Sequence, residues 1–594
     1  MRSRPTHNHP HGWRLLPTSD FRLPIIVLLA LAYRLILLRT AMATVDSDQS
    51  VAGIMARHIL RGDRPTFFYG QSYNGALEAY LTAVVFRLLG PDDLTLRLVH
   101  TLFSVVLVAQ LYGLARRLYT PWIALVRGLW LAVPAPMLVW WGTAAGASYI
   151  EAAVWGTGIF LIAIRRWWLE QPRAYDLPAL GLLAGLGVWA HPMIAYYLLA
   201  LAVAVLPLAW RRRARFIHAL PWHVWPVAAG FALGAAPWLV YTLQHRASGL
   251  AVLAGRPGPY ALPDVLWRLV TQALPVLVGG AHLSGPAGQF ARYIGAHPVP
   301  YALSLCAIAY LVVVTILSRR GLVAQARAWV CGRPFPDAPL ALLVVTVFAL
   351  YLGSRYKTLS WTTRDPRYLL SLYTCVPFVI ACAMPKSKVE SRKSEVGSRR
   401  SEVGSRRSEV VTGSQRGESE QQKLMQRGWR VKTLGLLPTS DFRLPTAALA
   451  VALAINIYGA AQYDELPSST FVNVTPLART LVAHGDEAVY GDYWVVWRLA
   501  FESKERLIPV VTLGLTVDHN PRGARYAPYL ARAAHARRWA YILPDRYAGA
   551  FVARLRRDHI AYRRWRWGDS SLFYNHWDWG TPNVFEGAGP LPSR

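Results

Sequence analysis

The stretch TVDSDQSVAGIMARHILRGD (residues 44–63) follows the first long apolar run and places two carboxylates, Asp46 and Asp48, where a membrane span should end. Apolar residues then recur with the spacing of an amphipathic helix, at Val51, Ile54, Met55 and Ile59. Asp48 or Ser50 is the expected N-cap of this helix. Its short length and polar flanks predict that it lies along the membrane surface.

The composition around this stretch indicates a polytopic membrane protein. Of the 594 residues, 54% are hydrophobic and only 16% are charged, which is less charge than a soluble protein of this size carries. The apolar residues form blocks of about 20, the length that crosses a bilayer. The net charge of +31 does not indicate nucleic-acid binding, because the arginine clusters cap apolar segments as cytoplasmic anchors do. The four cysteines fall in predicted spans or a cytoplasmic loop, so no disulfide framework is expected.

Apolar blocks and arginine clusters together predict an all-α membrane domain with about eleven spans, the N-terminus inside and the C-terminus outside. The apolar stretch 177–210 is too long for one span, and we expect it to break at His191 and Pro192. The predicted organisation is a cytoplasmic N-terminus (1–22), a transmembrane catalytic domain (23–384) that contains the first outer loop (43–92), a cytoplasmic linker (385–444), a last span (445–461) and an outer domain (462–594).

The linker and the outer domain have distinct patterns. In the linker, SEVGSRR repeats without an apolar seam, which is typical of low-complexity sequence. LLPTSDFRLP occurs at 15–24 and again at 436–445, and a duplicated DNA segment explains it better than a functional motif. After residue 461, short strand patterns alternate with helical ones, which predicts a small α/β domain. Support and acceptor contact are both compatible with that domain.

The local chemistry of the first loop leaves two roles open for Asp48. A carboxylate at a helix N-terminus is favoured in its charged form, which suits a group that accepts a proton or holds a cation. A plain helix cap would need the same residue. Asp46 and Asp48 could also bind Mg²⁺ or Mn²⁺ through oxygen, and the sequence leaves metal dependence open. The segment FFYGQSYNG, with Tyr73 and Asn74, suits either a sugar-binding wall or an interfacial aromatic belt.

Three motifs occur in order at matching topological positions. They are Asp48-Gln49 after the first span, Arg57 followed by ILRGD (59–63), and RDPRYLLSLY (364–373) near the far end of the membrane part. This pattern resembles the GT-C superfamily of membrane glycosyltransferases, especially the protein O-mannosyltransferase and aminoarabinose transferase branch. The chain departs from that pattern where Gln49 replaces an acidic residue, Asn74-Gly75 replaces Lys-Pro, and Ser371 replaces Pro.

The resemblance implies an inverting transferase that uses a polyprenyl-phosphate sugar as donor and a lipid, glycan or protein as acceptor. It places the catalytic aspartate at Asp48, with Asp46 as an additional carboxylate. Arg57, Tyr73, Asn74 and Glu78 of the first loop are the expected substrate contacts. A location in the bacterial inner membrane, with the reaction on the outer face, is also implied.

Residues outside the first loop complete the predicted site. The leaving lipid phosphate needs cations, and Arg364 and Arg367 lie at the outer end of a late span, with Tyr368 beside them as a hydrogen-bond donor. Interface anchoring is the alternative for both arginines. Glu151 begins a span, where an ionisable group indicates function or a buried ion pair. His191 is a candidate for the acceptor pocket or a packing residue beside a proline.

Other classes of membrane protein share some of these features. A transporter or flippase of lipid-linked sugars would also need many spans and outer polar groups, but it predicts mid-membrane ionisable residues and repeated spans. A non-catalytic scaffold would leave the elaborate first loop unexplained. A polymerase or ligase would share the lipid-phosphate chemistry and differ in its acceptor.

Overall fold

A computed structural model gives the fold of residues 21–39, 45–245 apart from 147 and 212, 261–281, 294–332 apart from 318, 335–353, 365–379 apart from 377, 443–462, 473–567 and 570–575. Arg364 and nearly all of the predicted linker lie outside these described residues. The first outer loop contains the two predicted helices, joined by a small antiparallel ribbon. Its elements, with the helix before them, are α1 (Arg22–Leu37), α2 (Ser47–Leu60), β1 (Phe67–Phe68), β2 (Gln71–Gly75) and α3 (Leu77–Leu89).

The burial of α2 differs from the pattern predicted for an amphipathic helix, which would bury one face and expose the other. Eleven of the twelve residues from Ser47 to His58 are buried, including polar Gln49 and Ser50 on the face expected to be wet. Two elements cover the helix, α3 on one side and a helix of the C-terminal domain (Tyr493–Glu502) on the other. The polar face of α2 is therefore not exposed, because this second cover comes from a segment more than 400 residues away. The location of α2 along the membrane surface stays a prediction.

The membrane part is built from helices that continue after α3. They are α4 (Asp93–Leu118), α5 (Pro121–Ala132), α6 (Pro136–Trp141), α7 (Tyr149–Ala163), α8 (Asp176–Ala190), α9 (Ile194–Arg211), α10 (Arg213–Gly234), α11 (Ala236–Gln244), α12 (Leu262–Arg268), α13 (Leu274–Leu277), α14 (Pro298–Leu317), α15 (Arg319–Val330), α16 (Ala338–Gly353) and α17 (Arg443–Ala461). A π-helical turn follows both α7 and α12, and residues Asp365–Cys375 form a 3₁₀ helix. The break between α8 and α9 at His191 is as predicted.

Among the described residues, α4 and α9 are long and apolar enough to cross a membrane. The end of α10 and α11 together form a third such unit, bent by 75° at Ala235. Pro237 in the first turn of α11 explains this bend, because proline cannot donate the helical hydrogen bond. Five other apolar helices are 10–17 residues long, so the count of eleven spans stays a prediction.

Helices α8 and α10 approach each other closely along two glycine pairs. A Cβ added to Gly181 would lie 2.0 Å from the Val227 carbonyl oxygen, and one added to Gly230 would lie 2.1 Å from that of Pro178. The second glycine of each pair, four residues later, is equally crowded. Small residues at this spacing let helix backbones touch, as is typical of packing in membranes.

The C-terminal domain has the predicted α/β character. The predicted strands are β3 (Ala488–Gly491), β4 (Ile508–Leu513), β6 (Trp539–Pro544) and β7 (Arg563–Trp567), and the strands that were not predicted are β5 (Thr516–Val517) and β8 (Ser570–Tyr574). These six strands form one sheet in the order β5-β4-β3-β6-β8-β7. In it, β3 is parallel to both of its neighbours and β8 is antiparallel to both of its neighbours. The helices are α18 (Thr475–Ala483), α19 (Tyr493–Glu502), α20 (Pro521–Ala524), α21 (Pro528–Ala533) and α22 (Asp545–Arg557).

Candidate active site

A cavity of about 90 Å³ lies at the N-terminus of α2, between the first loop, the segment after α6, the α8–α9 break and the 3₁₀ helix. Seven of its fifteen lining residues are predicted site residues, namely Asp46, Asp48, Tyr73, Asn74, His191, Arg367 and Tyr368. The residues that sequence reasoning missed are Gln71, Trp140, Trp141, Ala144, Ala145, Gly146, Tyr149 and Trp494. The fold therefore brings the acidic pair and a late arginine to one aromatic cavity.

The two aspartates have different structural roles. Asp46, not Asp48, is the N-cap of α2, because its extended backbone lets its side chain accept a hydrogen bond from the Gln49 amide at 2.9 Å. The prediction of Asp48 or Ser50 as the N-cap was therefore wrong, by two residues or by four. Asp48 lies in the first helical turn, so its carboxylate is not used in capping.

Two side chains of the C-terminal domain bind the Asp48 carboxylate. The Tyr493 hydroxyl donates to Oδ1 at 2.5 Å, and an Arg525 NH2 donates to the same oxygen at 2.6 Å. Arg525 also donates to the Tyr493 hydroxyl through Nε at 3.0 Å. Ser47 donates to the Tyr493 carbonyl at 2.8 Å, which ties the tyrosine backbone to the start of α2. The C-terminal domain thus contacts the residue that the sequence singled out first.

The charge states of Tyr493 and Arg525 are set by burial and by their contacts with Asp48 and with each other. Burial, and then the negative charge of Asp48, raise the pKa of Tyr493 well above 10, so its hydroxyl stays protonated and donates. Burial alone would lower the pKa of Arg525, but Asp48 and Tyr493 together outweigh burial and the pKa is raised. The contact is therefore a charge-assisted ion pair at neutral pH.

Gly146 closes the cavity directly beside Asp48. Its φ is +90°, and a Cβ added there would lie 2.8 Å from the Asp48 carbonyl oxygen. The Asn74 side chain donates to the Gly146 carbonyl at 3.0 Å. Both Glu78 oxygens accept from the Gly146 amide, at 2.7 and 2.8 Å. Asn74 and Glu78 therefore hold the loop that fixes the backbone next to the carboxylate.

Behind Glu78 lies a buried chain of acid and base groups. His100 of α4 places Nδ1 3.1 Å from Glu78 and Nε2 3.3 Å from Glu151 of α7. All three side chains are at most 4% exposed. Glu151 thus lies in a buried ionic cluster that supports the Gly146 loop, which is the alternative that the sequence left open for it, and it does not line the cavity.

Replacing Gly146 by Ala should destabilise the protein by about 1–3 kcal/mol, because a non-glycine residue is strained at this φ and its methyl group would push on the first turn of α2. Thermal unfolding of the detergent-solubilised protein measures this loss. Gly113→Ala is the matched control, since an added Cβ there has no atom within 4 Å. Equal unfolding temperatures for the two variants would contradict the proposed tight contact.

Arg367 lies on the aromatic side of the cavity. Its guanidinium carbon is 5.4 Å from the Trp141 ring centre, 5.7 Å from that of Tyr149 and 5.1 Å from that of Tyr368. These distances are typical of cation–π contacts. Arg367 also donates to the Tyr368 hydroxyl at 3.3 Å. The ring of Tyr149 lies 4.8 Å from that of His191, whose Nδ1 accepts from the Met193 amide. The aromatic rings therefore hold the Arg367 guanidinium in place.

Arg57 lies away from the cavity, at the interface between α2 and the C-terminal domain. It donates to the Phe501 carbonyl at 2.8 Å, and its guanidinium lies over the Phe501 ring at 4.4 Å. The next residue of α2, His58, and the C-cap residue Arg61 bind Glu505 at 2.8 and 2.9 Å. Tyr529 donates to the same carboxylate at 2.9 Å. These contacts dock the C-terminal domain on α2.

The docking carboxylate has an altered pKa. Burial would raise the pKa of Glu505, but hydrogen bonds from His58 and Arg61, with a further one from Tyr529, outweigh burial and bring it to about 2. A carboxyl group with a lowered folded-state pKa stabilises the fold fully above its unfolded value of 4.5, and the contribution is lost as pH falls towards 2.

Glu505→Gln should therefore lower the unfolding temperature at pH 6–7, and the difference from wild type should shrink as pH falls below about 4.5. Unfolding curves at a series of pH values between 3 and 7 measure this convergence. Glu487→Gln removes an exposed carboxylate of the same domain and is the control. A constant difference between Glu505→Gln and wild type over that range would refute the linkage.

The described residues place the best-spaced metal ligands away from the acidic pair. Glu78, His100 and Glu151 each offer a ligand atom, and these atoms lie within 4.8 Å of one another. In the acidic pair, by contrast, Asp46 caps a helix and Asp48 pairs with Arg525. The expectation of Mg²⁺ or Mn²⁺ at Asp46 and Asp48 stays a prediction.

Comparison with known proteins shows what the chain is similar to. Residues 75–241 match the family model described as dolichyl-phosphate-mannose-protein mannosyltransferase. ArnT from Cupriavidus metallidurans in the apo state has a TM-score of 0.56 at 14% identity, over 94% of this chain and 99% of that chain. The same protein bound to undecaprenyl phosphate has a TM-score of 0.58 at 14% identity, over 95% and 100%.

An archaeal oligosaccharyltransferase, AglB from Archaeoglobus fulgidus in complex with an inhibitory peptide and a dolichol-phosphate, is more distant, with a TM-score of 0.43 at 13% identity over 94% and 74% of the two chains. No curated protein matches by sequence. The chain has the fold of ArnT over nearly its whole length. Together with the family match, this confirms the resemblance to GT-C membrane glycosyltransferases.

Proposed function

We propose that this protein transfers a sugar from a polyprenyl-phosphate donor to an acceptor hydroxyl or amine at the outer face of a bacterial inner membrane. The observation that supports this most is the shared cavity of Asp48 and Arg367, which combines a proton acceptor with a cation for the leaving group. The ArnT structure that binds undecaprenyl phosphate has the same fold, which supports a lipid-phosphate donor.

The chemistry that this cavity suits is a single displacement. The acceptor oxygen or nitrogen forms a bond to the anomeric carbon while the bond from that carbon to the phosphate oxygen breaks. Asp48 takes the acceptor proton, and the electron pair of the broken bond leaves with the lipid phosphate. Attack opposite the leaving group inverts the anomeric centre.

Arg367 is the side chain proposed to meet the negative charge that develops on the phosphate. A guanidinium can hold phosphate oxygens in bidentate fashion, and its aromatic neighbours limit its motion. Trp140, Trp141 and Tyr73 offer flat surfaces for a sugar ring. These rings and the arginine are the side chains proposed to bind the donor.

The direct test supplies purified protein with undecaprenyl-phosphate mannose, glucose and an aminopentose, together with an extract of envelope lipids and glycans as acceptor. Release of undecaprenyl phosphate and labelling of the extract are measured by mass spectrometry. Turnover of at least one donor is expected. If no donor is consumed but labelled donor crosses the bilayer of reconstituted vesicles, the protein is a transporter and the proposal fails.

A further inference from the structure

The contacts of Asp48 raise a question about the C-terminal domain, for which the sequence allowed only support or acceptor contact. Asp48 is a residue of the first loop, yet within the described part of the chain the hydrogen bonds that its side chain accepts come from Tyr493 and Arg525. Both fall on Oδ1. The Arg525 side chain is only 6% exposed, whereas that of Asp48 is 36% exposed. The arginine is therefore built into the protein behind the carboxylate, and the carboxylate remains open to the cavity.

The backbone at Arg525 is a second, independent sign of function. Its φ is +44°, a left-handed conformation that disfavours residues with a Cβ. Such strain persists where the surrounding structure holds the residue for a purpose. Here the guanidinium is held by the Phe68 and Tyr493 rings at 5.4 and 5.2 Å and by the Tyr69 carbonyl at 3.4 Å. All three contacts come from the first loop or from the tyrosine that also binds Asp48.

We propose that Arg525 and Tyr493 are positioning residues of the reaction, so that the C-terminal domain completes the active site. They bind Oδ1 and fix the rotamer of Asp48, which leaves Oδ2 as the oxygen that takes the acceptor proton. This proposal rests on the proposed transferase function. It assigns to the C-terminal domain a part in the chemical step that neither a supporting nor an acceptor-binding domain would have.

The test compares three variants of the full-length protein, and two controls, with the donor that the wild type consumes. Arg525→Gln should lower kcat by about 10²-fold, because a displaced catalytic group loses that much, and change KM for the donor by less than about threefold. Arg525→Lys keeps the charge and should recover part of the loss. Tyr493→Phe should lower kcat by about threefold to tenfold, since it removes one hydrogen bond to a charged group.

The controls are Arg537→Gln, an exposed arginine of the same domain, and Tyr490→Phe, a tyrosine whose hydroxyl donates to the Ala533 carbonyl outside the cavity. Both should keep wild-type kcat and KM. If Arg525→Gln does not fold, Tyr493→Phe decides the matter, because it deletes one oxygen only.

Three results would overturn the proposal. The first is kcat for Arg525→Gln and Tyr493→Phe equal to that of the controls. The second is a loss that Arg525→Lys does not reduce at all, which would indicate a packing role. The third is a rise in kcat, which would show that the ion pair restrains Asp48. In each case Asp48→Asn still tests the transferase function separately, and a wild type that consumes no donor would refute that function and not the geometry.

Discussion

Asp48→Asn should reduce turnover of the lipid-linked sugar by about 10²- to 10⁴-fold, the range attributed to a positioned general base. Asparagine has the same shape, and its carbonyl oxygen can still accept from Tyr493 and Arg525. The fold and the docking of the C-terminal domain should therefore survive. What the variant loses is the oxygen that can take a proton. Initial rates of undecaprenyl phosphate release, with unfolding temperatures alongside, give the measurement.

Asp46→Asn is the matched control, because it makes the same chemical change two residues earlier. Asparagine caps helices as well as aspartate does, and Asp46 uses its side chain to accept from the Gln49 amide. We expect Asp46→Asn to keep most of the activity. Full activity in Asp48→Asn with a large loss in Asp46→Asn would reverse the two roles.

Local patterns predicted the elements that carry the site better than they predicted its surroundings. The apolar spacing after Asp48 gave α2, and alternating short patterns gave four strands of the C-terminal sheet. These features depend on hydrophobic periodicity, which is visible within a window of a dozen residues. The cap position was missed because Asp46 and Asp48 are equally good N-cap residues when judged from the sequence alone. The extended backbone at Asp46 decided between them.

The packing of α2 could not be read from its sequence. Its polar face was expected to be exposed to solvent. Ser47 and Gln49 are instead buried, and α19 of the C-terminal domain packs against α2. For the same reason Tyr493 and Arg525 were missed. They occur in ordinary helix and loop sequence, and only the fold brings them to Asp48 across separations of 445 and 477 residues. A motif resemblance limited to the membrane part could not point to them.

Family resemblance supplied residues that local chemistry left undecided. Interface anchoring was the alternative to phosphate binding for Arg367, and the bias of arginines towards the inner side favoured phosphate binding. The fold places Arg367 in the cavity with Asp48. Arg57 matched a family position as well, yet it contacts Phe501 at the domain interface. A motif therefore located the right helix and did not settle which of its side chains faces the cavity.

Arg367→Gln should lower kcat/KM for the donor by about 10²- to 10³-fold, the loss found when one charge-stabilising donor is removed from an active site. The guanidinium is fixed by the rings of Trp141, Tyr149 and Tyr368, so neighbouring side chains cannot readily take its place. Arg367→Lys should recover only part of the activity, because an ammonium group cannot bind phosphate in bidentate fashion.

Binding of undecaprenyl phosphate, the product of the proposed reaction, separates this role from that of Asp48. Arg367→Gln should weaken binding in a calorimetric titration, whereas Asp48→Asn should not, because the carboxylate would face the acceptor and not the phosphate. Arg532→Gln is the control, since Arg532 also lies over a tyrosine ring, at 5.7 Å, but outside the cavity. Unchanged affinity in Arg367→Gln would return that arginine to an anchoring role.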